Sequence, residues 1–541
     1  MTTATRAIDL GVRRRRNVTV QSMAPLLSVL VLVAIWQLGS LVTPLVPAPL
    51  AVLRQIGADA ASYPANIAQT MSTAGLGYLW GNGIAIVLAL LTLPFPRVQA
   101  VLERVAVSAI ALPLIAVAPI LVIVFSDNIP GIILSAQAVV FTTLVSMILG
   151  LGNVDQSALD LVHASGGSSW TAIRKVRLPA AIPSLVVGLQ IAAPSAILGA
   201  IIGEYMGGSK GLGVAMIQAQ GAFDVPRAWA IALVTSALAA IAFLAIPWIV
   251  KVTMPWVGHA SSTISARAVV RRVARAPWPL ALGRVVLSVV GTLAVVILLW
   301  WGLSAAVPGG ELVARGPLSV FRYFTDPAST IVSQSGTPQS SFDALLASLG
   351  QTAMDAGVGF LVGTALSILM AVVVHEFRTV EALIMPVSIV LRSVPIVAAM
   401  PLLALIFGRG ILAVTVLITM MTFFPTLVNL LLAMRSAPSG AVDLFSVAGA
   451  TRGQRIRKLL IPYALPALFA SIKVALPLSV GAAMVAEWLA TGTGLGASMT
   501  VAATMSDYDF VWGGVAAVLL ISLFLYQLAG YAERRIAARL A

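Results

Sequence analysis

The side chains best suited to recognition chemistry lie in two polar stretches, 160–179 (DLVHASGGSSWTAIRKVRLP) and 443–462 (DLFSVAGATRGQRIRKLLIP). Each begins with an acid, has a glycine six residues on, a basic pair from the eighth residue after the glycine, and a proline thirteen after the glycine. These positions are Asp160, Gly166, Arg174, Lys175 and Pro179, and Asp443, Gly449, Arg457, Lys458 and Pro462. An acid, a flexible turn and paired cations suit the docking of a partner rather than covalent catalysis.

The residue types needed for catalysis or metal binding are sparse. The chain has no cysteine, so it can form neither a disulfide nor a thiolate metal site. Its three histidines are scattered and form no ligand pair, and no glycine is followed directly by lysine, as an ATP-binding P-loop requires. We therefore predict no catalytic residue, no metal site and no cofactor in this chain.

The composition predicts the elements that must position the two stretches. Apolar residues make up 59% of the 541-residue chain and charged residues only 10%, far from the balance of a soluble domain. A chain of this length and bias is expected to be an all-α polytopic membrane protein in the lipid bilayer.

The two stretches belong to a longer duplication. At an offset of 283 residues the match includes two prolines, a Glu, a Gly-Leu-Gly and a tryptophan: Pro183/Pro466, Pro194/Pro477, Glu204/Glu487, 211–213/494–496 and Trp229/Trp512. Upstream the offset is 282, and it relates Gln69-Thr70 to Gln351-Thr352. The chain is therefore a duplicated membrane unit.

Hydropathy predicts about twelve transmembrane helices in two six-helix repeats. The expected spans are near 23–42, 70–93, 106–125, 130–151, 184–203 and 228–250, then 281–306, 350–374, 383–407, 411–433, 467–487 and 511–531. The predicted divisions are a tail (1–22), a first repeat (23–250) with its loop at 155–183, a linker (251–280), a second repeat (281–535) with its loop at 436–466, and a tail (536–541).

The distribution of positive charge orients this arrangement. With both termini in the cytoplasm, six of the 33 Lys and Arg fall on the extracytoplasmic side, two fall within spans and 25 lie on the cytoplasmic side. The net charge of +14 is thus explained by topology rather than by nucleic-acid binding. Because six spans separate the repeats, both have the same orientation and are related by an axis along the membrane normal.

The two polar loops have two interpretations. Each is either a plain cytoplasmic connection or one of two like surfaces that a pseudo-twofold partner binds. Glycines and serines at 166–169 predict a break between two short helices, with Pro179 and Pro183 starting the next span. The identical spacing in the second repeat favours the paired surface.

The acid-to-glycine-to-proline spacing resembles the EAA loop of ABC importer permeases. That resemblance places the motif's acid at Asp160 and Asp443, its glycine at Gly166 and Gly449, and its proline at Pro179 and Pro462. The acid is Asp rather than Glu, and Leu161-Val162 and Leu444-Phe445 replace the motif's two alanines. The resemblance implies the type I ABC importer (MetI-like) permease fold, with each loop forming a coupling helix that docks on an ATPase.

Trp36-Gln37, the proline spacing Pro113/Pro119 and Pro395/Pro401, and the Glu…Gly-Leu-Gly segment resemble the sulfonate, taurine, nitrate and thiamine-precursor branch of these permeases. The resemblance implies two subunits fused in one chain of a prokaryotic inner membrane. It further implies two copies of a cytoplasmic ATPase that carry the ATP and Mg²⁺, and an extracytoplasmic solute-binding protein. The alternative is a self-sufficient secondary transporter with parallel six-helix repeats.

Three further residues are candidates for the substrate path or an outer gate. Glu204 and Glu487 precede matched glycine-rich segments at the ends of their spans, which form either a gate or binding-protein surface or simply a tight turn. Arg392 lies within a predicted span where the first repeat has Ile110. It either selects an anionic substrate or is a snorkelling or paired arginine.

Overall fold

A computed structural model of the protein describes residues 30–93, 114–260, 290–305, 315–384 and 396–540, apart from short gaps within these ranges. The described chain is helical except for one antiparallel hairpin, formed by β1 (Thr330–Val332) and β2 (Pro338–Ser340). Ile331 of β1 pairs with Gln339 of β2. The hairpin precedes the first long helix of the second repeat.

The helices of the first repeat are α1 (Pro49–Ala58), α2 (Tyr63–Leu91), α3 (Leu114–Val124), α4 (Ile129–Gly152), α5 (Gln156–Ala164), α6 (Ser169–Ala172), α7 (Leu178–Gly207), α8 (Leu212–Gly221), α9 (Val225–Thr253) and α10 (Pro255–Ala260). A π-helical turn at Ile173–Arg177 joins α6 to α7 without a break.

The second repeat follows the same order, with α11 (Pro317–Thr325), α12 (Ser341–Glu376), α13 (Ile396–Phe407), α14 (Ile411–Arg435), α15 (Ser439–Val447), α16 (Arg452–Arg455), α17 (Ile461–Ala486), α18 (Gly494–Thr504) and α19 (Tyr508–Leu540). Two π-helical turns, Ile456–Leu460 and Glu487–Thr491, lie immediately before and after α17.

Eight helices within the described ranges are long and apolar enough to cross a membrane. They contain α2, α4, α7 and α9 in the first repeat and α12, α14, α17 and α19 in the second. The predicted all-α polytopic fold is therefore confirmed. The other four predicted spans lie partly outside the described residues, and their described parts are helical at 30–42, α3, Leu293–Gly302 and α13.

Several helices begin earlier than the spans predicted within them. Those that contain the spans near 184–203 and 467–487 begin at Leu178 (α7) and Ile461 (α17). Pro179 and Pro462 are the second residues of α7 and α17, directly after the π-turns, and Pro183 and Pro466 lie further inside the helices. The last residues of the predicted loops 155–183 and 436–466 are thus helical and continuous with α7 and α17.

The two repeats form one bundle because each inserts a helix into the other. Helix α3 of the first repeat packs against α17, α18 and α19, and α13 of the second packs against α7 and α9. Leu402 of α13 is buried in a cluster with Tyr63, Leu212 and Met216 of the first repeat. Its counterpart at the 282-residue offset, Ile120 of α3, is equally buried.

A tryptophan pair joins the first helical segment of each repeat to the last. Trp36 stacks on Trp229 and Trp300 stacks on Trp512, each with ring centroids 5.6 Å apart. The indole N–H groups of Trp36 and Trp300 each donate to a backbone carbonyl 2.9 Å away. The two repeats are therefore related over their first helices too, where the sequence match is weak.

Glycines set the distance between α2 and α4. A Cβ atom at Gly81 would lie 2.7 Å from the carbonyl oxygen of Ala136 and 2.9 Å from its Cα, whereas one at Gly83 would meet nothing within 4 Å. In the second repeat Gly359 and Gly363 face Ile418 and Thr422 of α14 with similarly little space. Small residues at these positions allow the close backbone approach typical of membrane helices.

We expect Gly81→Val to lower the apparent melting temperature of the detergent-solubilised protein sharply, because the added side chain meets backbone that cannot move aside. Overpacking of this kind costs about 1–3 kcal/mol. Gly83→Val is the matched control, since it makes the same change in helix propensity on the exposed face of the same helix. Equal melting temperatures for the two variants would contradict the packing.

Candidate functional site

The two repeated loops share one backbone geometry around their glycines. Gly166 has φ of 75° and Gly449 has φ of 68°, in the left-handed region where a side chain is strained. The next residue in each loop, Gly167 or Ala450, donates its N–H to a carbonyl five residues back, in α5 or α15. This is the Schellman arrangement that ends a helix. The motif's glycine is thus the residue at which the first helix of each loop, α5 or α15, ends.

The helix after each turn runs unbroken into a membrane span. Ser168 caps α6 by accepting the N–H of Thr171, and Thr451 forms a reciprocal capping box with Gln454 at the start of α16. A π-turn follows, and the proline stands two residues after it in each repeat. A proline lacks the N–H and crowds the carbonyl one turn back, which favours the wider turn.

The loops present apolar and basic side chains to solvent at matched positions. Leu161 and its counterpart Leu444 are 68% and 67% exposed, although they lie in polar segments at the ends of the spans. The basic pairs Arg174-Lys175 and Arg457-Lys458 and the acids Asp160 and Asp443 are also exposed. The structure therefore places all ten predicted loop residues at one end of the bundle, which we call the loop end.

Ion pairs distinguish the second loop from the first. Arg455 of α16 contacts Glu376 at the end of α12 (3.3 Å), and Arg435 at the end of α14 makes a bidentate pair with Glu381. The first repeat has Ala172 in place of Arg455. Solvent-accessible pairs of this kind contribute little stability individually, but one joins α16 to α12 and the other joins α14 to the segment that follows α12.

A buried carboxyl group organises the opposite end of the first repeat. Glu204 is 5% exposed, and its Oε2 accepts hydrogen bonds of 2.9 Å from the Thr70 hydroxyl of α2 and from the N–H of Gly213. The same hydroxyl accepts the N–H of Leu212 at 2.9 Å. The first N–H groups of α8 have no partner within their own helix, so Glu204 and Thr70 satisfy them.

The second repeat contains the same network. Glu487, which is fully buried, accepts the Thr352 hydroxyl and the N–H of Gly496, each at 2.9 Å, and Thr352 accepts the N–H of Leu495 at 2.9 Å. Each carboxyl also lies at a helix N-terminus, where the helix dipole favours negative charge. The sequence analysis found that Gln69-Thr70 matches Gln351-Thr352, but it did not predict that the two threonines bind the glutamates.

A glycine at the start of each short helix gives the carboxyl group its space. Gly211 (φ 126°) and Gly494 (φ 84°) lie so close to Glu204 and Glu487 that any Cβ would overlap the carboxyl group. Each repeat therefore contains a tight turn with a glycine at positive φ. Glu204 anchors the first turn to α2, and Glu487 anchors the second to α12. Because their carboxyl groups are buried, they are not themselves a surface for a partner. A part in the substrate path or outer gate stays a prediction.

Two intramembrane ionisable residues differ between the repeats. Arg392 lies outside the described residues. Asp355 in α12, which was not predicted as a candidate, is 2% exposed and accepts hydrogen bonds of 3.2 Å from Gln351 at both carboxylate oxygens. Its counterpart is Thr73, which Gln69 contacts in the same way at 3.4 Å. Asp355 lies inside the predicted span 350–374, and an ionisable residue within a span is a signal of function that the sequence already contained.

No group of three or more His, Asp or Glu side chains within the described ranges is arranged to hold a metal ion. The geometry found in both repeats instead consists of an exposed surface of apolar and basic side chains at the loop end and an anchored turn at the opposite end. A continuous helical segment of 39 residues, Ser169–Gly207, links the two ends in the first repeat, and one of 40 residues, Arg452–Thr491, links them in the second.

Comparison with known proteins gives a family match to each repeat. The family described as "Binding-protein-dependent transport system inner membrane component" matches residues 81–259 and 363–538. A probable ABC transporter permease protein of Haemophilus influenzae is 34% identical over 235 residues, which make up 96% of that protein and 42% of this chain. The present chain is therefore about twice as long as this relative.

Two further relatives have named substrates. The riboflavin transport system permease of Chloroflexus aurantiacus is 35% identical over 159 residues, 29% of this chain and 59% of that protein. The match thus spans less than two thirds of the riboflavin permease. The formylaminopyrimidine transport permease of Halalkalibacterium halodurans is 27% identical over 241 residues, 44% of this chain and 96% of that protein.

We expect Glu204→Ala to destabilise the protein by about 1–3 kcal/mol, because the Thr70 hydroxyl and the Gly213 N–H lose a buried acceptor. Glu204→Gln keeps an oxygen acceptor and should lose less. Thermal unfolding of the three purified proteins in one detergent measures the difference. Wild-type stability in the alanine variant would show that the network does not anchor the turn.

Proposed function

Because the chain belongs to the family of binding-protein-dependent transport inner membrane components, we propose that its two repeats together form the complete transmembrane pathway of one ABC importer. The observation that carries this proposal is the pair of repeated loops, which have the same backbone and lie at one end of a single bundle. A single-repeat permease must dimerise to present two such loops, whereas this chain presents both.

Each loop is proposed to dock on one copy of a cytoplasmic ABC ATPase. The exposed Leu161 and Leu444 suit an apolar groove, and the neighbouring basic pairs suit an acidic rim. ATP and Mg²⁺ belong to the ATPase subunits, since this chain has no P-loop. The docking surfaces are not identical, because the first loop also exposes Trp170 where the second has Gly453.

The continuous helices provide the mechanical link. When ATP closes the ATPase dimer, the two loops move with their subunits, and rigid α6–α7 and α16–α17 transmit that movement to the anchored turns. The bundle then alternates between two states open to opposite sides, and ATP shifts their populations through its different affinity for each. The turns move with these helices because Glu204 and Glu487 lie in the same helical segments.

The remaining partners follow from the family and from topology. The loop end is proposed to face the cytoplasm together with both termini, so that the turns face an extracytoplasmic solute-binding protein. The substrate is proposed to be a small solute of the sulfonate, taurine, nitrate or pyrimidine kind. The riboflavin and formylaminopyrimidine relatives support a nitrogen-containing ring among these.

The secondary-transporter alternative requires a carboxyl group that exchanges protons with water during transport. The structure contains more buried acids than the sequence suggested, namely Glu204, Asp355 and Glu487. All three accept hydrogen bonds from fixed neighbours, however, and two of them anchor turns. The matched loops have no use in such a transporter.

Co-expression with the candidate ATPase tests the proposal directly. Wild-type chain should retain the ATPase through purification, and Leu161→Asp with Leu444→Asp should reduce the retained amount severely, because two charges enter an apolar contact. Gly166→Asp with Gly449→Asp should do the same by straining both turns. Retained ATPase and ATP hydrolysis are measured together.

The matched control is Ala222→Asp with Met505→Asp, which adds the same two charges at equivalent exposed positions at the opposite end. It should leave ATPase retention unchanged. Solute uptake driven by an ion gradient in vesicles without any ATPase, unaffected by the loop substitutions, would favour the secondary transporter.

A further inference from the structure

Two aromatic side chains at equivalent positions of the repeats contact each other. Tyr205 and Trp488 are related by the same 283-residue offset as Glu204 and Glu487. Their rings meet edge to face, with centroids 5.1 Å apart and an interplanar angle of 75°. When a residue contacts its own symmetry-related counterpart, the contact must lie on or beside the symmetry axis. This pair therefore marks the pseudo-twofold axis of the bundle.

The position of the pair along that axis follows from the helices. Tyr205 is near the end of α7, whose 30 residues extend about 45 Å from the loop end at 1.5 Å per residue. Trp488 lies just beyond α17, in the π-turn Glu487–Thr491. In parallel repeats the axis runs along the membrane normal between the two halves. The two rings thus lie between the halves at the end opposite the loops.

Each ring is attached to its own repeat. The Tyr205 hydroxyl donates to the side-chain oxygen of Gln220 in α8, within the first repeat. Trp488 follows Glu487, whose carboxyl group is tied to α12 and to the start of α18. No hydrogen bond described for either side chain crosses to the other repeat. Separation of the two rings would therefore break no hydrogen bond described for either side chain.

The contact is not a consequence of symmetry alone. The first repeat carries its ring on a regular α-helix, whereas the second carries it on a π-turn that ends at Gly492 with φ of 70°. The rings meet edge to face, one of the arrangements that aromatic pairs prefer.

We propose that Tyr205 and Trp488 form the constriction that closes the translocation pathway at the end opposite the loops, and that this structure holds it closed. The proposal rests on the function proposed above. Opening toward the binding protein separates the two rings, and each ring moves as part of its own repeat. A gate of two different aromatic residues is available to this chain because its two halves can diverge independently.

The absence of cysteine from the chain makes a cross-linking test direct. Tyr205→Cys with Trp488→Cys is assembled with the ATPase and binding protein and treated with a short bifunctional thiol reagent. Cross-links should form without nucleotide and block solute uptake. Trapping the complex with ATP and vanadate should lower their yield about tenfold, as expected when the closed state changes from the major to the minor population.

Trp36→Cys with Trp229→Cys is the control pair, because those stacked rings lie within one repeat. Its cross-linking yield should not depend on nucleotide. The single variant Trp488→Cys offers a second measurement that leaves Tyr205 in place. Its labelling by a membrane-impermeant thiol reagent should accelerate in the trapped state.

Two outcomes would overturn the gate. Cross-linked protein that transports at the rate of untreated protein, or cross-linking and labelling that are the same with and without trapped nucleotide, would make the pair a permanent contact. ATPase retention is recorded on the same samples. Loss of retention by the wild-type chain would refute the proposed function itself, whereas retention with unchanged cross-linking refutes only the gate.

Discussion

A helix that ends inside an apolar bundle must find partners for its free backbone groups without water, and the structure satisfies this constraint twice with the same side chains. Helices α8 and α18 begin within the bundle, so their first N–H groups have no partner of their own. A threonine and a glutamate from two other helices accept them. The anchored turns, the close packing of the glycines beside them and the position of the aromatic pair all depend on this network.

Because two repeats are fused in one chain, some structural features recur in both repeats and others occur in only one. The helix-ending glycines, the π-turns before the spans, the tryptophan stacks and the buried glutamates recur in both repeats, because each repeat needs the same backbone. Asp355 in place of Thr73, Arg455 in place of Ala172 and the π-turn at Trp488 occur in one repeat only.

Local rules account for the parts of the structure that were predicted well. Gly166 and Gly449 were expected to break the loop helices because glycine tolerates positive φ, and both do so. Pro179 and Pro183 were expected at the start of the next span. The helix is continuous through both, as it is through Pro462 and Pro466, because membrane helices accommodate proline in their interior where neighbouring helices compensate.

By itself, the sequence determined the all-helical membrane class, the duplication and the two matched loops, since hydropathy and turn chemistry depend on neighbouring residues and a duplication is visible as a constant offset. It also contained the repeated Gln-Thr and Glu…Gly-Leu-Gly segments. Only the tertiary structure joined Thr70 to Glu204 across 134 residues and brought Tyr205 against Trp488. These contacts depend on packing between helices that are distant in the sequence, which leaves no periodic trace in the chain.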